Sequence, residues 1–309
     1  MHLGNATIAV TGATGFLGGY LVQGLRQRGA HVIAVVRDRD KAARVLPSSV
    51  ELRIADLSDR RALTSAFSGA DAVISNAAVI SFRHPRLTMR TNVEGTRNVF
   101  EALVRAGVER AIAISSTAAY PASLFRLDES KPLRSLGPLS FANAYGASKA
   151  EGERIAWQLS RQTGVGLTTF RPCGITGPFD PLLIRAIERV MSLPVALFPA
   201  YCAIGVVHAG DVAEAVLLAL EQSEIAIDKA YNLQGCTATL WQIADAWQRA
   251  GGRSPHFRIP IPVPFALRYD DTRARRELHW SPRTLDAILE EAVRLRPTAA
   301  TSQAHRVVG

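Results

Sequence analysis

The sequence predicts an α/β protein, a doubly wound parallel sheet completed by a smaller, irregular C-terminal lobe. Three observations carry that expectation. As far as Arg171, short apolar runs alternate with stretches of helical periodicity. The first run, Ile8-Ala9-Val10-Thr11, breaks into a turn whose glycines, Gly12, Gly15 and Gly18, stand three apart and open a helix. Beyond Arg171-Pro172 prolines multiply (Pro178, Pro181, Pro194, Pro199) and the predicted elements shorten.

Taken in order, a helix follows the glycine turn to about Arg28, Gly29 ends it, and His31 to Val36 reads as a second buried strand. Val50 to Ile54 is the third strand, and Asp56-Leu57-Ser58-Asp59 offers a cap to a helix ending at Phe67. Ala72 to Ser75 is the fourth strand; Arg86 to Ala106 is a long helix closed by Gly107; Arg110 to Ser115 is the fifth strand. Asn143 to Gln162 predicts another helix and Gly166 to Phe170 a sixth strand. Residues 1–171 are therefore expected to form a Rossmann-type nucleotide-binding domain, with a helix near 209–222 packing back on its sheet. Residues 172–296 are expected to form mainly the substrate lobe, with helices near Leu182 to Met191, Leu240 to Arg249 and Leu285 to Val293 and an interrupted strand from His256 to Pro264. The polar tail 297–309 predicts disorder. No internal repeat is present.

Composition narrows the function classes. No run approaches the roughly 18 apolar residues of a membrane span, and the first residues do not read as a signal peptide. A cytoplasmic protein without membrane contact is expected. Cys173, Cys202 and Cys236 lack metal-ligand spacing, so reduced thiols and no metal site are expected. The net charge of +9 raises nucleic-acid binding. Against it, only four of the 36 basic residues are lysines (Lys41, Lys131, Lys149, Lys229), and the arginines are scattered among acids without a basic block.

Two motifs carry chemistry. The glycine turn suits a phosphate: Gly12 lets the chain leave the strand with unusual angles, Gly15 lets a pyrophosphate approach the backbone, and Gly18 lets the helix press on the strand. In Tyr145-Gly-Ala-Ser-Lys149 the phenol and ammonium stand four residues apart on one helix face. A nearby ammonium favours the phenolate, which suits proton exchange with an alcohol or carbonyl oxygen. Ser115-Ser116-Thr117, ending the fifth strand, offers hydroxyls to orient the same oxygen.

With these motifs in place, the sequence resembles the extended short-chain dehydrogenase/reductase family over nearly its whole length. The family's glycine turn is matched by Thr11-Gly12-Ala13-Thr14-Gly15-Phe16-Leu17-Gly18, its adenine-side acid by Asp56-Leu57, and its strand-four loop by Asn76-Ala77-Ala78. Its helix-four motif is similar to Asn92-Val93-Glu94-Gly95-Thr96, and its C-terminal signatures are similar to Arg171-Pro172-Cys173-Gly174-Ile175-Thr176-Gly177-Pro178, Val207 to Ala213 and Ala274 to Pro282. The resemblance implies a nicotinamide cofactor held by Gly12, Thr14, Gly15, Phe16, Leu17, Gly18, Asp56, Leu57, Asn76, Ala77, Ala78 and Pro172, with Lys149 on the nicotinamide ribose. It implies Thr117, Tyr145 and Lys149 as the catalytic set, Asn92 supporting the lysine through water, and a homodimer by analogy.

Three positions narrow that reading. Where NAD-using relatives carry an acid after strand two, this chain has Val36-Arg37. A guanidinium pairs with a 2′-phosphate that a carboxylate would repel, so NADP is expected over NAD, with Arg37 as the main contact and Arg39 or Lys41 as helpers. Ala118-Ala119 follow Thr117 where dehydratases of the family place Asp-Glu, so dehydration is not expected. Tyr201 to Val207 offers no arginine for a nucleotide-sugar diphosphate, though Arg185 or Arg189 is a possible substitute. The expected activity is NADP(H)-dependent hydride transfer to or from a carbonyl or secondary alcohol of a non-nucleotide small molecule. The alternatives are a nucleotide-sugar epimerase and a non-catalytic NADP-binding sensor or assembly protein. Ile80, Phe82, His84, Tyr120, Cys173, Gly174, Ile175 and Thr176 are the expected substrate wall, with Cys173 lining it rather than acting as a nucleophile.

Overall fold

The computed structural model describes residues 1–295 except 82, 124, 138, 139, 141, 142 and 264–266. The predicted Pro264 strand end, Phe82 and the tail 297–309 lie outside the described residues. The alternating apolar runs of the first half become β1 (Thr7–Thr11), α1 (Phe16–Gln27), β2 (His31–Val36), α2 (Arg39–Val45), β3 (Glu51–Ile54), α3 (Arg60–Phe67), β4 (Ala72–Ser75), α4 (Pro85–Arg105), β5 (Arg110–Ile114), α5 (Ala144–Thr163) and β6 (Gly166–Pro172). The later chain adds β7 (Gly174–Thr176), α6 (Leu183–Met191), β8 (Val195–Pro199), β9 (Ala203–His208), α7 (Ala209–Glu221), α8 (Ser223–Ala226) and β10 (Lys229–Leu233). It ends with β11 (Cys236–Thr239), α9 (Leu240–Arg249), β12 (Phe257–Ile261), α10 (Thr272–Glu277) and α11 (Leu285–Arg294).

Seven parallel strands lie in the order β10-β6-β5-β4-β1-β2-β3. The order reverses at β1, which pairs β2 on one side and β4 on the other, and that reversal opens a crevice at the strands' carboxyl ends. Alternation along each strand feeds two cores. On one face Ile8 and Val10 meet Leu21 and Leu25 of α1 and Val216 and Leu220 of α7. On the other, Ala9, Val35 and Val73 meet Phe67 of α3 and Phe100 and Leu103 of α4. A third core, around Ile187, Phe198, Ile243, Trp247 and Leu289, holds the C-terminal lobe together.

The strand edge at the expected boundary is shared. β6 runs through Pro172, and the seventh strand of the main sheet comes from 229–233, far beyond residue 171. A three-stranded sheet, β11-β9-β7, and a parallel pair, β12-β8, complete the later chain. Of these, β12 falls within the expected interrupted strand from His256, whereas β7, β8, β9 and β11, of three to six residues, with α2, α8, α10 and β10, were not predicted. Short runs containing Gly174, Gly205 or Thr237 hold too little periodicity to declare themselves.

Candidate active site

The cradle is built by β1, α1 and the loop after β4. Gly12 sits at φ +68°, and a Cβ there would lie 2.8 Å from the Cα of Ala77. A Cβ on Gly18 would come within 2.1 Å of the Gly12 carbonyl oxygen, so only glycine lets α1 press this close. Thr11 Oγ1 accepts the N–H groups of Asn76 and Ala77, each at 3.1 Å, and Asn76 Nδ2 donates to Gly12 O at 3.3 Å. Gly15 is the exposed N-cap of α1, and no side chain bonds into that first turn. The helix therefore presents its opening N–H groups at the crevice to an anion, which fits a dinucleotide pyrophosphate. Thr14 and Phe16 lie half-buried beside it, while the Leu17 side chain is in the core.

At the adenosine side, Arg37 follows β2 with its side chain 73% exposed and its Nη1 3.8 Å from Asp56 Oδ2. The Ser58 hydroxyl and N–H, at 2.6 and 2.8 Å, hold the Asp56 carboxyl below its usual range, with Arg37 adding to the effect. Leu57 packs beneath Gly95 of α4. Arg39 is exposed, and the Lys41 backbone N–H donates to Asp38, capping α2.

The chemical end forms where α5 meets the turn after β5. Asn143 caps α5 by accepting the Gly146 N–H, and a Cβ on Gly146 would lie 2.4 Å from Ala118 O. That close approach brings Tyr145 against the 3-10 turn Thr117–Ala119, which Ser116 caps. Burial pushes the Tyr145 phenol up to about 12, and a hydrogen bond from Ser116 pulls the other way. Ser116 thus hydrogen-bonds the phenol, while its neighbour Thr117, the hydroxyl expected to hold the substrate oxygen, hydrogen-bonds Tyr269. The reason is local: adjacent residues entering a tight turn point their side chains in different directions.

Lys149 lies one turn further along α5, and its Nζ donates to Ile114 O at 2.7 Å. Burial pushes Lys149 down to about 8, and Glu153 opposes that push. Asn92 lines the same small cavity as Lys149; its Nδ2 donates to Val79 O and Ser148 Oγ at 3.0 and 2.9 Å, and its Oδ1 accepts Val79 N at 2.8 Å. It fastens the loop after β4 to α4 and α5.

Among the expected wall residues, Ile80 is exposed after β4, and His84 heads α4 in an open cleft of about 570 Å³ with Arg83, Arg86 and Leu87. Gly174, Ile175 and Thr176 form β7, Gly174 being exposed and Thr176 fully buried with its hydroxyl on Asp180. Pro172 is buried, opposite Leu233. Cys173 donates to Gln234 O at 3.1 Å, and burial pushes its thiol well above the ordinary value, which suits lining and not attack. Tyr120 is a correction. It is 2% exposed, its hydroxyl bonds Arg171 and Asn232, and it belongs to the core behind the site. Arg185 and Arg189 lie on the solvent side of α6. Sequence reasoning missed Tyr269 and the buried pair of Glu153 with Arg171; the placing of Glu153 four residues after Lys149 was the available signal.

A family model for the NAD-dependent epimerase/dehydratase family matches residues 8–233. The chain belongs to that family. It is an extended short-chain dehydrogenase/reductase. It is 33% identical over 176 residues to sterol demethylase protein B of Methylococcus capsulatus, a match covering 56% of this chain and 53% of that relative. It is 28% identical over 297 residues to a putative dihydroflavonol 4-reductase of Synechocystis, covering 88% of this chain and 81% of the relative. The match to the first of these spans only about half the relative's length. In fold the chain is similar to a UDP-glucose-4-epimerase from Stenotrophomonas maltophila with bound NAD, at TM-score 0.83 and 21% identity over 97% of this chain and all (100%) of that one. Among the described residues no helix is long and apolar enough to cross a membrane, and no cluster of His, Cys, Asp or Glu is arranged to hold a metal.

Proposed function

We propose that this short-chain dehydrogenase/reductase is an NADP(H)-dependent oxidoreductase for a carbonyl or secondary alcohol on an apolar, non-nucleotide small molecule. The observation that carries the reading is the meeting of Ser116, Tyr145 and Lys149 at the carboxyl end of β5, on the sheet whose first strand ends in the glycine cradle. When bound, the nicotinamide supplies or takes the hydride. Tyr145 gives the proton to the substrate oxygen in reduction and takes it back in oxidation. Ser116 orients that oxygen, and Lys149 holds the cofactor ribose and supplies positive charge near the phenol. Asn92 keeps the cradle loop in register with both helices.

For NADP, the support is Arg37, exposed at the end of β2 and only loosely engaged by Asp56. For an apolar substrate, the support is β9, Ala203–His208, which carries no arginine to meet a diphosphate. The names of the sterol and dihydroflavonol relatives lean the same way. A homodimer is part of the proposal by family analogy alone. The test is Tyr145→Phe. It should abolish NADPH-linked turnover across a panel of ketones and alcohols while NADPH binding, read by calorimetry, persists. Retained turnover would remove Tyr145 from the reaction, and epimerisation with unconsumed cofactor would favour the sugar-epimerase reading.

A further inference from the structure

Tyr145, Lys149 and Glu153 stand at i, i+4 and i+8 on α5, one face of one helix. Lys149 and Glu153 also line one small polar cavity between α5, α4 and the sheet. To it β4 contributes Ser75, α4 Asn92 and Thr96, and the turn after β5 Ser115, whose buried Oγ has no hydrogen-bond partner in the structure. Among the described lining residues, Glu153 is the one ionisable side chain besides Lys149.

The Glu153 side chain is fully buried, at 0% exposure, and is held by Arg171 through Nη2 at 2.6 Å and Nε at 3.0 and 3.1 Å. A buried ion pair of this kind contributes little net stability compared with an apolar pair, so its retention calls for another role. Glu153 lines the cavity together with Lys149, whereas its partner Arg171, which also donates to the Tyr120 hydroxyl at 2.5 Å, is not among the lining residues. The negative member of the pair thus shares the cavity with Lys149, one helical turn away.

We propose that Glu153 is a positioning residue of the site, holding Lys149 as an ammonium across the cavity they share. Burial alone favours the neutral amine, which could neither bond ribose hydroxyls as a cation nor favour a phenolate at Tyr145. Glu153 opposes burial from the protein's own interior, before any cofactor arrives. The consequence for catalysis rests on the function proposed above, but the ionisation of Lys149 does not.

The two can be tested separately because the chain has only four lysines. In cofactor-free protein labelled with ¹⁵N-lysine, the side-chain resonances are titrated by NMR, with Lys149→Met assigning the signal. In the wild type the Lys149 midpoint is expected near pH 8. Glu153→Gln, which keeps an acceptor for Arg171 but leaves the guanidinium charge unbalanced, should lower that midpoint by roughly one pH unit or more. Lys41, Lys131 and Lys229 should not move. Glu153→Asp should bring the midpoint back toward the wild-type value, which a merely space-filling role for Glu153 would not predict. An unchanged midpoint in Glu153→Gln, or equal midpoints in the Gln and Asp variants, would overturn the proposal. So would a wild-type midpoint below pH 7, which needs no variant to fold. Failure of Tyr145→Phe to abolish turnover would leave this titration untouched.

Discussion

Ser116 and Thr117 are adjacent hydroxyls with different surroundings, and the difference is measurable. Ser116→Ala should lower kcat by roughly 100-fold, the scale for removing one hydroxyl that supports charge at a reacting oxygen. Thr117→Val should leave kcat near wild type and cost about 1 kcal/mol of stability through the lost Tyr269 bond, read by urea denaturation. Equal effects on kcat would return Thr117 to the site. At the other end, Arg37→Ser should weaken NADPH roughly 10- to 100-fold and NADH little, because a charge-assisted phosphate contact disappears and nothing comparable is lost from a free ribose. Calorimetry with both nucleotides reads the ratio. The sequence made residue types and spacing legible here: the glycines, Arg37, Tyr145 and Lys149 were all nameable. Direction was not. Which of two neighbouring hydroxyls faces the phenol, whether Tyr120 looks inward or outward, and whether Lys149 bonds a neighbour or the Ile114 carbonyl depend on a 3-10 turn and a helix contact made through Gly146.

Among the elements, α7 shows how a cap links structure to pH. His208 begins α7 and accepts the Gly210 N–H on Nδ1 at 3.0 Å, which requires an unprotonated nitrogen. Burial, then Arg283, push the imidazole from 6.5 down to about 4. The ring packs edge-on against Tyr20 of α1 at 5.5 Å, so α7 and α1 are joined at this point. Below pH 6.5 the unfolded chain takes up a proton that the folded chain refuses until about pH 4, so stability falls as pH drops through that window. The loss should be on the order of 3 kcal/mol or less, and His208→Gln should flatten it in urea titrations at pH 7 and pH 5. A parallel fall in the variant would assign the acid limb to other groups. The long elements were legible in sequence because periodicity accumulates over several turns: α4, α5 and α7 start and stop within a residue or so of expectation. The strands β7 to β9 and β11 were not, since their pairing partners lie far away in the chain and their own three to six residues carry little pattern.

Across the whole molecule, the strand order explains why these residues meet at all. Parallel strands deliver their following loops to one end of the sheet, so the turn after β1, Arg37 after β2, the loop after β4, Ser116 after β5 and Pro172 on β6 come to one crevice from separate parts of the chain. The alternation of strands and helices announced that architecture from sequence. It did not announce that 229–233 would return to complete the sheet, because a five-residue strand in the irregular half looks like any other short apolar run.

That returning strand also sets an order of events during synthesis. Until the ribosome has passed Leu233, β6 has no neighbour on its outer side and exposes a row of unpaired backbone groups along Thr168 to Pro172. The nascent chain therefore carries a sticky open edge for some 60 residues of translation, and a fragment stopped after β6 would be prone to pair with its own kind. The nucleotide-binding half reaches a closed sheet only when most of the other half has been made.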